Sequence, residues 1–343
     1  MISEALLRHR LSFLLAILTL LTHAKVEAQS LERSQLEQLK FRHIGPVGNR
    51  IISVSGISGD PLTYYVGAAT GGIWKTGDGG LNWKPVFDKY PVHSIGAIAV
   101  APSDPQVIYA GTGESFIRSN VSIGNGVWKS TDGGETWSHL GLDSTGRISR
   151  IVVHPTDADI LYVASVGHGY SPQKQRGVFK SNDGGMSWKL VLFVDENTGA
   201  SDIVMDPNNP RILFAGMWQL ELKTWIRISG GPGSGLYMSK DAGETWSRLE
   251  GSELPKKPVG KIALAMTPAA PDRVYALIET GDGVPWDGEE TESGELWRSD
   301  DKGKTWKLIN SNRDLGGRQA YYTRCAASPD NPNEIYFLAA NYS

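Results

Sequence analysis

The sequence predicts an all-β propeller, and two observations carry that expectation. An eight-residue box recurs five times at intervals of 51 to 60 residues, and each interval holds the pattern of four short strands. Four-stranded antiparallel units repeated at about 50 residues are the sequence form of propeller blades. Composition agrees. The chain has 343 residues, 40 of them Gly and 11 Trp, with 40% hydrophobic and 21% charged residues. Glycine at about 12%, against an average near 7%, fits many tight turns, and the apolar fraction is ample for a core, which excludes a disordered or collagen-like chain. A net charge of −3 with no basic stripe disfavours a nucleic-acid partner.

In chain order, residues 1–28 read as a targeting segment. Arg8, His9 and Arg10 precede an apolar run from Leu11 to Leu21, and Val26-Glu27-Ala28 places small residues for cleavage before Gln29. Eleven apolar residues are too few for a membrane span of about 20. An exported protein, secreted or periplasmic, is expected, the alternative being an uncleaved anchor, with no further membrane contact. Residues 29–40 form a short linker and 41–343 the propeller, in blades at about 41–88, 89–142, 143–195, 196–250 and 251–310, with a partial sixth at 311–343.

The boxes follow the form Ser/Thr-x-Asp-x-Gly-x-x-Trp. They are TGDGGLNW (Asp78, Trp83), STDGGETW (Asp132, Trp137), SNDGGMSW (Asp183, Trp188), SKDAGETW (Asp241, Trp246) and SDDKGKTW (Asp301, Trp306). Aspartate accepts backbone N–H groups two residues on in an Asx turn, glycine allows positive φ, and Trp anchors the turn to the blade. Each box is therefore expected to be a structural hairpin turn. Before each lies a strand with an aromatic residue, as in Gly126-Val127-Trp128. Earlier in each unit is a strand–turn–strand such as AIAVAPSDPQVIYAG (97–111). A sixth unit begins with YYTRCAASP (321–329) and EIYFLAAN (334–341), so the expectation is five complete blades plus a partial sixth in an incomplete ring that continues into further blades; a closed five-blade ring is the alternative. Cys325 has no partner within the chain and reads as an inert buried thiol.

At these boxes the chain resembles the Asp-box (BNR-repeat) propeller superfamily, which includes sialidases, family 74 xyloglucanases, the sortilin propeller and a photosystem II assembly factor. The resemblance spans about residues 41–343. It is similar to secreted bacterial proteins of sortilin-like or glycosyl hydrolase type at Phe41-Arg42-His43-Ile44-Gly45-Pro46 and Gly231–Tyr237. The xyloglucanase resemblance implies a catalytic Asp before the Gly-Gly-aromatic strand of the first blade, but here Ala69 stands at that place, and alanine cannot transfer a proton. The sialidase resemblance implies an Arg motif that His43 and Gly45 interrupt.

Strand alternation puts the boxes at one end of the molecule and the longer connections at the other, where function is expected. Those loops carry Glu114, Arg118 and Asn120, then His168 and Tyr170. Trp218, Trp225 and Arg227 follow, then Glu279, Asp282, Trp286, Asp287 and Glu289. Glu114 and Asp287 are the candidate acid pair for glycoside hydrolysis, which requires a separation of about 5–9.5 Å. Arg118, His168, Trp218, Trp225, Arg227 and Trp286 are the candidate ligand contacts. Packing of the tryptophans and solvation of the charges is the alternative at each position. Asn120-Val121-Ser122 fits a glycosylation acceptor. No metal spacing, nucleophile elbow or phosphate loop occurs, so no metal or cofactor is expected. Two functions are expected first: an exported binding or scaffold module engaging a protein or polysaccharide ligand through its long-loop end, and the N-terminal part of a xyloglucanase-like BNR-repeat glycoside hydrolase whose active site needs a further C-terminal region; a protein-assembly factor like the photosystem one is the third.

Overall fold

Five antiparallel sheets built on one four-strand path follow each other along the chain in the computed structural model, which describes residues 50–118, 121–251, 253–255, 258–280, 294–311, 315 and 319–338. The first sheet holds β1 (Ile51–Gly56), β2 (Tyr64–Ala68), β3 (Ile73–Thr76) and β4 (Lys84–Pro85). The second holds β5 (Ile95–Ala101), β6 (Asp104–Thr112), β7 (Val127–Ser130) and β8 (Ser138–His139). In the third are β9 (Ile148–Val153), β10 (Leu161–Ser165), β11 (Gly177–Ser181) and β12 (Lys189–Leu192). The fourth has β13 (Thr198–Met205), β14 (Leu213–Leu222), β15 (Arg227–Ser229), β16 (Gly235–Ser239) and β17 (Ser247–Arg248), with β15 pairing only the end of β14. The fifth has β18 (Ile262–Thr267), β19 (Ala270–Ile278), β20 (Glu295–Ser299) and β21 (Lys307–Asn310). A short helix, α1 (Gln319–Tyr322), then precedes a two-strand sheet of β22 (Cys325–Ala327) and β23 (Ile335–Phe337). The fold is an all-β propeller with five complete blades and a partial sixth.

The first strand of each sheet lines the axis, and the first four share a device there. One extra residue bulges from the ladder: Ile52, Gly96, Ser149 and Ser201. The bulge is where neighbouring sheets touch. Ser149 Oγ donates to Ala200 O at 2.9 Å, and Ser201 Oγ to Ile262 O at 2.6 Å. At Gly96 a Cβ would stand 2.2 Å from Ile148 O and 2.4 Å from Gly113 O, so only glycine fits that junction. A tyrosine on the second strand completes each link. Tyr65, Tyr109, Tyr162 and Tyr275 donate to Gly133, Ala158, Ala242 and Pro332 carbonyls of the following sheet, at 2.6–3.0 Å. Phe214 holds the equivalent place in the fourth sheet without the hydroxyl.

The boxes close the turns between third and fourth strands, with the Asp hydrogen bond two residues further on than expected. The Asp Oδ1 accepts the N–H of the residue four on, not two on: Asn82, Thr136, Ser187, Thr245 and Thr305, at 2.8–2.9 Å. The opening Ser or Thr hydroxyl occupies the closer place. It donates to the Asp and accepts from the Gly four residues after itself, as Ser130 does with Asp132 and Gly134. Two successive positive-φ residues are needed, and Ala242 (φ 60) and Lys302 (φ 58) accept that conformation where other boxes have Gly.

Each box Trp after the first packs on the preceding sheet. Trp137 Nε1 donates to Val86 O at 3.1 Å and its ring meets Phe87 edge-on at 5.4 Å. Trp83 belongs to the first sheet and is 39% exposed, against 5% for Trp137. The fourth strands are shorter than the sequence pattern implied, two residues in three sheets, with exposed polar side chains such as Ser138 and His139 at the edge.

Candidate functional site

The longer connections meet at the end opposite the boxes, and their first residues hold them in place. After β6 the chain turns at Glu114, which is fully buried. Arg50 Nη1 donates to its Oε1 at 2.6 Å and Arg118 Nε to the same oxygen at 2.9 Å. Arg50 also donates to Tyr321 Oη at 3.1 Å, tying the approach to β1 to α1. The clamp carries Phe116 over the axis. There its ring lies edge-on to Tyr321 at 5.4 Å, with Lys261 Nζ 5.0 Å from its centroid. Ile117 enters an apolar cluster with Val166, Trp218, Leu220 and Ala320.

Between β10 and β11 the chain is tied by two buried arginines. Arg147 donates to the carbonyls of Gly167 (3.1 Å) and His168, and its guanidinium lies 5.6 Å from the centroid of the Tyr170 ring. Arg176 donates to Leu220 O at 3.0 Å and to Asn197 O at 2.5 Å. Burial, helped by the Arg147 charge, lowers the His168 imidazole below its ordinary value, so at pH 7 it is a neutral ring packed against Gly146. Tyr170 is 54% exposed.

The third connection differs most from its sequence reading. Residues 216–222 continue β14, so Trp218 stands on a strand with its ring fully buried and its Nε1 donating to Ser229 Oγ at 3.0 Å. It offers no face to solvent, contrary to its expected role as an open ligand contact; a ten-residue strand with a return strand beside it encloses the ring. Trp225, at the tip between β14 and β15, is 81% exposed. Leu222 N donates to Gly169 O at 2.6 Å, so the segments carrying Tyr170 and Trp225 lie side by side.

Ser229 also donates to Glu279 Oε2 at 2.7 Å, and Lys261 N donates to the same oxygen at 2.6 Å, while Oε1 has no hydrogen-bond partner. Burial pushes the Glu279 carboxyl up to about 7 and the Lys261 ammonium down to about 7. Lys261 Nζ donates to Ala320 O, within α1, at 3.2 Å. Arg227 is half-buried beside this group, with its Nε unpartnered.

The sequence-derived candidates thus fall into three groups: Glu114 with Arg118, His168 and Tyr170 with Trp225, and Trp218 with Arg227 and Glu279. Asn120, Asp282, Trp286, Asp287 and Glu289 lie outside the described residues, as does the Phe41–Pro46 motif, so the Glu114–Asp287 separation is not defined. Ala69 is buried in an apolar cluster with Ile52 and Phe116, against which Tyr321 packs. Arg50, Phe116, Arg147, Arg176, Lys261 and Tyr321 were not singled out from the sequence. Arg50 and Arg147 did leave a signal, since both directly precede the first strand of their sheets. Among the described residues no group of three or more His, Cys, Asp or Glu is placed to hold a metal, and no helix is long and apolar enough to cross a membrane.

The sortilin family model (Sortilin-Vps10; sortilin, neurotensin receptor 3) matches residues 176–341. The fold superposes on the GH74 enzyme of Niastella koreensis with a TM-score of 0.62, at 18% identity, over 85% of this chain and 44% of that one. This chain is similar to sortilin-type and GH74 propeller proteins. The propeller is 27% identical over 252 residues to a xyloglucanase of Hypocrea jecorina, covering 66% of this chain and 27% of the relative. To a xyloglucanase of Paenibacillus sp it is 25% identical over 274 residues, 72% of this chain and 24% of the relative. A second solved structure, the GH74 xyloglucanase of Xanthomonas campestris, matches at a TM-score of 0.53 and 16% identity, over 85% of this chain and 51% of that one. The chain therefore spans about a quarter of the length of these curated relatives.

Proposed function

We propose that this chain is the polysaccharide-binding propeller of a xyloglucanase-like protein, and that it grips a β-glucan backbone at the Tyr170–Trp225 edge of its long-loop end. The observation that carries the reading is the pairing of two exposed aromatic rings on adjoining segments in a chain whose curated relatives are xyloglucanases. Flat apolar ring faces suit the C–H faces of sugar rings, and hydroxyl-rich ligands need polar groups beside them, here the Tyr170 hydroxyl and the neutral His168. Chemistry at the place of the family acid is not part of the proposal, because Ala69 is methyl-bearing and buried. Glu114 is held by two guanidiniums and serves as an anchor. Any hydrolytic carboxylates in this reading come from outside the described residues, Asp287 among the candidates. The same reading has the chain exported through residues 1–28.

Gel retardation on a polysaccharide panel, combined with reducing-sugar release, tests this. Retardation by xyloglucan or another β-glucan, weakened in Trp225→Ala and Tyr170→Ala, supports the reading. No retardation on any polysaccharide overturns it. Sugar release by the Glu114→Gln variant at the wild-type rate is expected if release occurs at all; its loss in a folded variant overturns the anchor role.

A further inference from the structure

A second site lies on the axis, apart from the aromatic edge. The repeat aligns Ser53, Ala97, Arg150, Asp202 and Ala263 at one place on the first strands, with Arg324 at the same place just before β22. Three of these are charged, and they converge. Asp202 Oδ1 stands 3.5 Å from Arg150 Nε and 3.4 Å from Arg324 Nη1, while Asp202 Oδ2 accepts Leu264 N at 3.0 Å. One buried carboxylate therefore faces two guanidiniums, leaving a positive charge without a counter-ion among the described residues. Arg324 Nη2 donates to Ser149 O at 2.5 Å, but Nη1 is buried and makes no hydrogen bond. Desolvation lowers the Arg324 guanidinium, as expected of a cation that is under-compensated.

Arg150 and Arg324 line a cavity of about 390 Å³, within the range of small-molecule sites. Its remaining wall is mainly apolar, with Ile51, Val54, Ile98, Phe116, Phe337 and Leu338. Ile51 and Val54 are exposed here, Val54 to 66%, whereas the first strands of the next four sheets are largely buried. The cavity thus joins an unsatisfied cationic donor to an apolar surface, a combination that inter-sheet packing alone does not require.

We propose that this axial cavity binds a small organic monocarboxylate, its carboxylate accepting from the open Arg150 guanidinium beside Arg324 and its apolar tail lying against Ile51, Val54 and Leu338. The site is independent of the polysaccharide reading. No covalent step is involved.

The test is calorimetric titration of the full chain with octanoate, octanol and octylamine, which share a tail and differ in charge. Octanoate is expected to bind about tenfold tighter than octanol, with octylamine weakest, since one unscreened charge at contact distance is worth that factor at intermediate dielectric. Arg150→Gln and Val54→Glu alter exposed side chains and retain the fold by circular dichroism. Each is expected to weaken octanoate about tenfold, the first toward the octanol value. Asp202→Asn, where it folds, is expected to tighten octanoate. Equal binding of octanol and octanoate, or an Arg150→Gln chain that binds octanoate as wild type does, overturns the proposal. So does absence of octanoate binding up to about 10 mM, beyond which an affinity carries no specificity.

Discussion

Replacing Glu114 by Gln tests whether the long-loop end is built on a buried charge clamp. The variant keeps the shape and one acceptor but removes the charge that faces Arg50 at 2.6 Å and Arg118 at 2.9 Å. A hydrogen bond to a charged group contributes about 1.5–3 kcal/mol, and breaking a fully buried pair costs about 3–5 kcal/mol. Both cations are partly open to water, Arg50 to 36% and Arg118 to 26%, so each recovers part of its solvation when the carboxylate goes. A loss of about 2 kcal/mol is therefore expected, below the fully buried figure. Urea unfolding followed by circular dichroism reads this from the midpoint at unchanged slope. The Arg50→Ala, Glu114→Gln double variant should lose less than the sum of the singles, because both remove the same contact. Amide exchange should quicken at Glu114, whose N–H donates to Ser122 O at 2.9 Å, and leave the box turns unchanged. A Glu114→Gln chain within about 0.5 kcal/mol of wild type would refute the clamp.

Further outcomes follow from the same geometry. The box carboxylates Asp78, Asp132, Asp183, Asp241 and Asp301 are held down at about 2 from 3.8 by hydrogen bonds from the residue four on. Their contribution is complete above the unfolded value and is lost as pH falls through about 2, so the urea midpoint should drop below pH 4 and the drop should shrink in Asp132→Asn. Ala242→Gly should stabilise by about 0.5 kcal/mol, because relief of a left-handed alanine exceeds the added freedom of the unfolded chain; a lower melting temperature would contradict this. The Glu279 carboxyl is raised to about 7 by burial, so the folded state keeps a proton the unfolded state releases. Stability should decline as pH rises from about 5 to 7, and Glu279→Gln should abolish that slope; a slope unchanged in the variant would show that another group titrates.

The sheets were legible because each repeat carries its own local instructions: a box that turns, an aromatic third strand and a Pro/Asp turn in the first hairpin. Even the box hydrogen bonds, misplaced by two residues, lie within eight positions of chain. The site was less legible because its determinants are distant. Glu114 reads as a loop acid until Arg50, 64 positions away, is brought to it. Trp218 reads as a loop ring until β15 shows that β14 continues beneath it and Ser229 caps its indole. Arg150, Asp202 and Arg324 sit in three separate repeats, and only the common axis places them within ion-pair reach. Trp225 and Tyr170 were visible as loop aromatics, but their adjacency depends on one backbone bond between Leu222 and Gly169.

The proposed function stands on binding of a β-glucan at the Tyr170–Trp225 edge. Titration of a xyloglucan oligosaccharide into wild type and Trp225→Ala, followed by calorimetry, tests it most directly. Trp225 is 81% exposed, so its removal should leave the unfolding midpoint unchanged. Wild type is expected to give saturable heat, and the variant to bind at least about tenfold more weakly, as for loss of one stacking ring. Binding that is equal in both proteins, or absent in wild type, would contradict it.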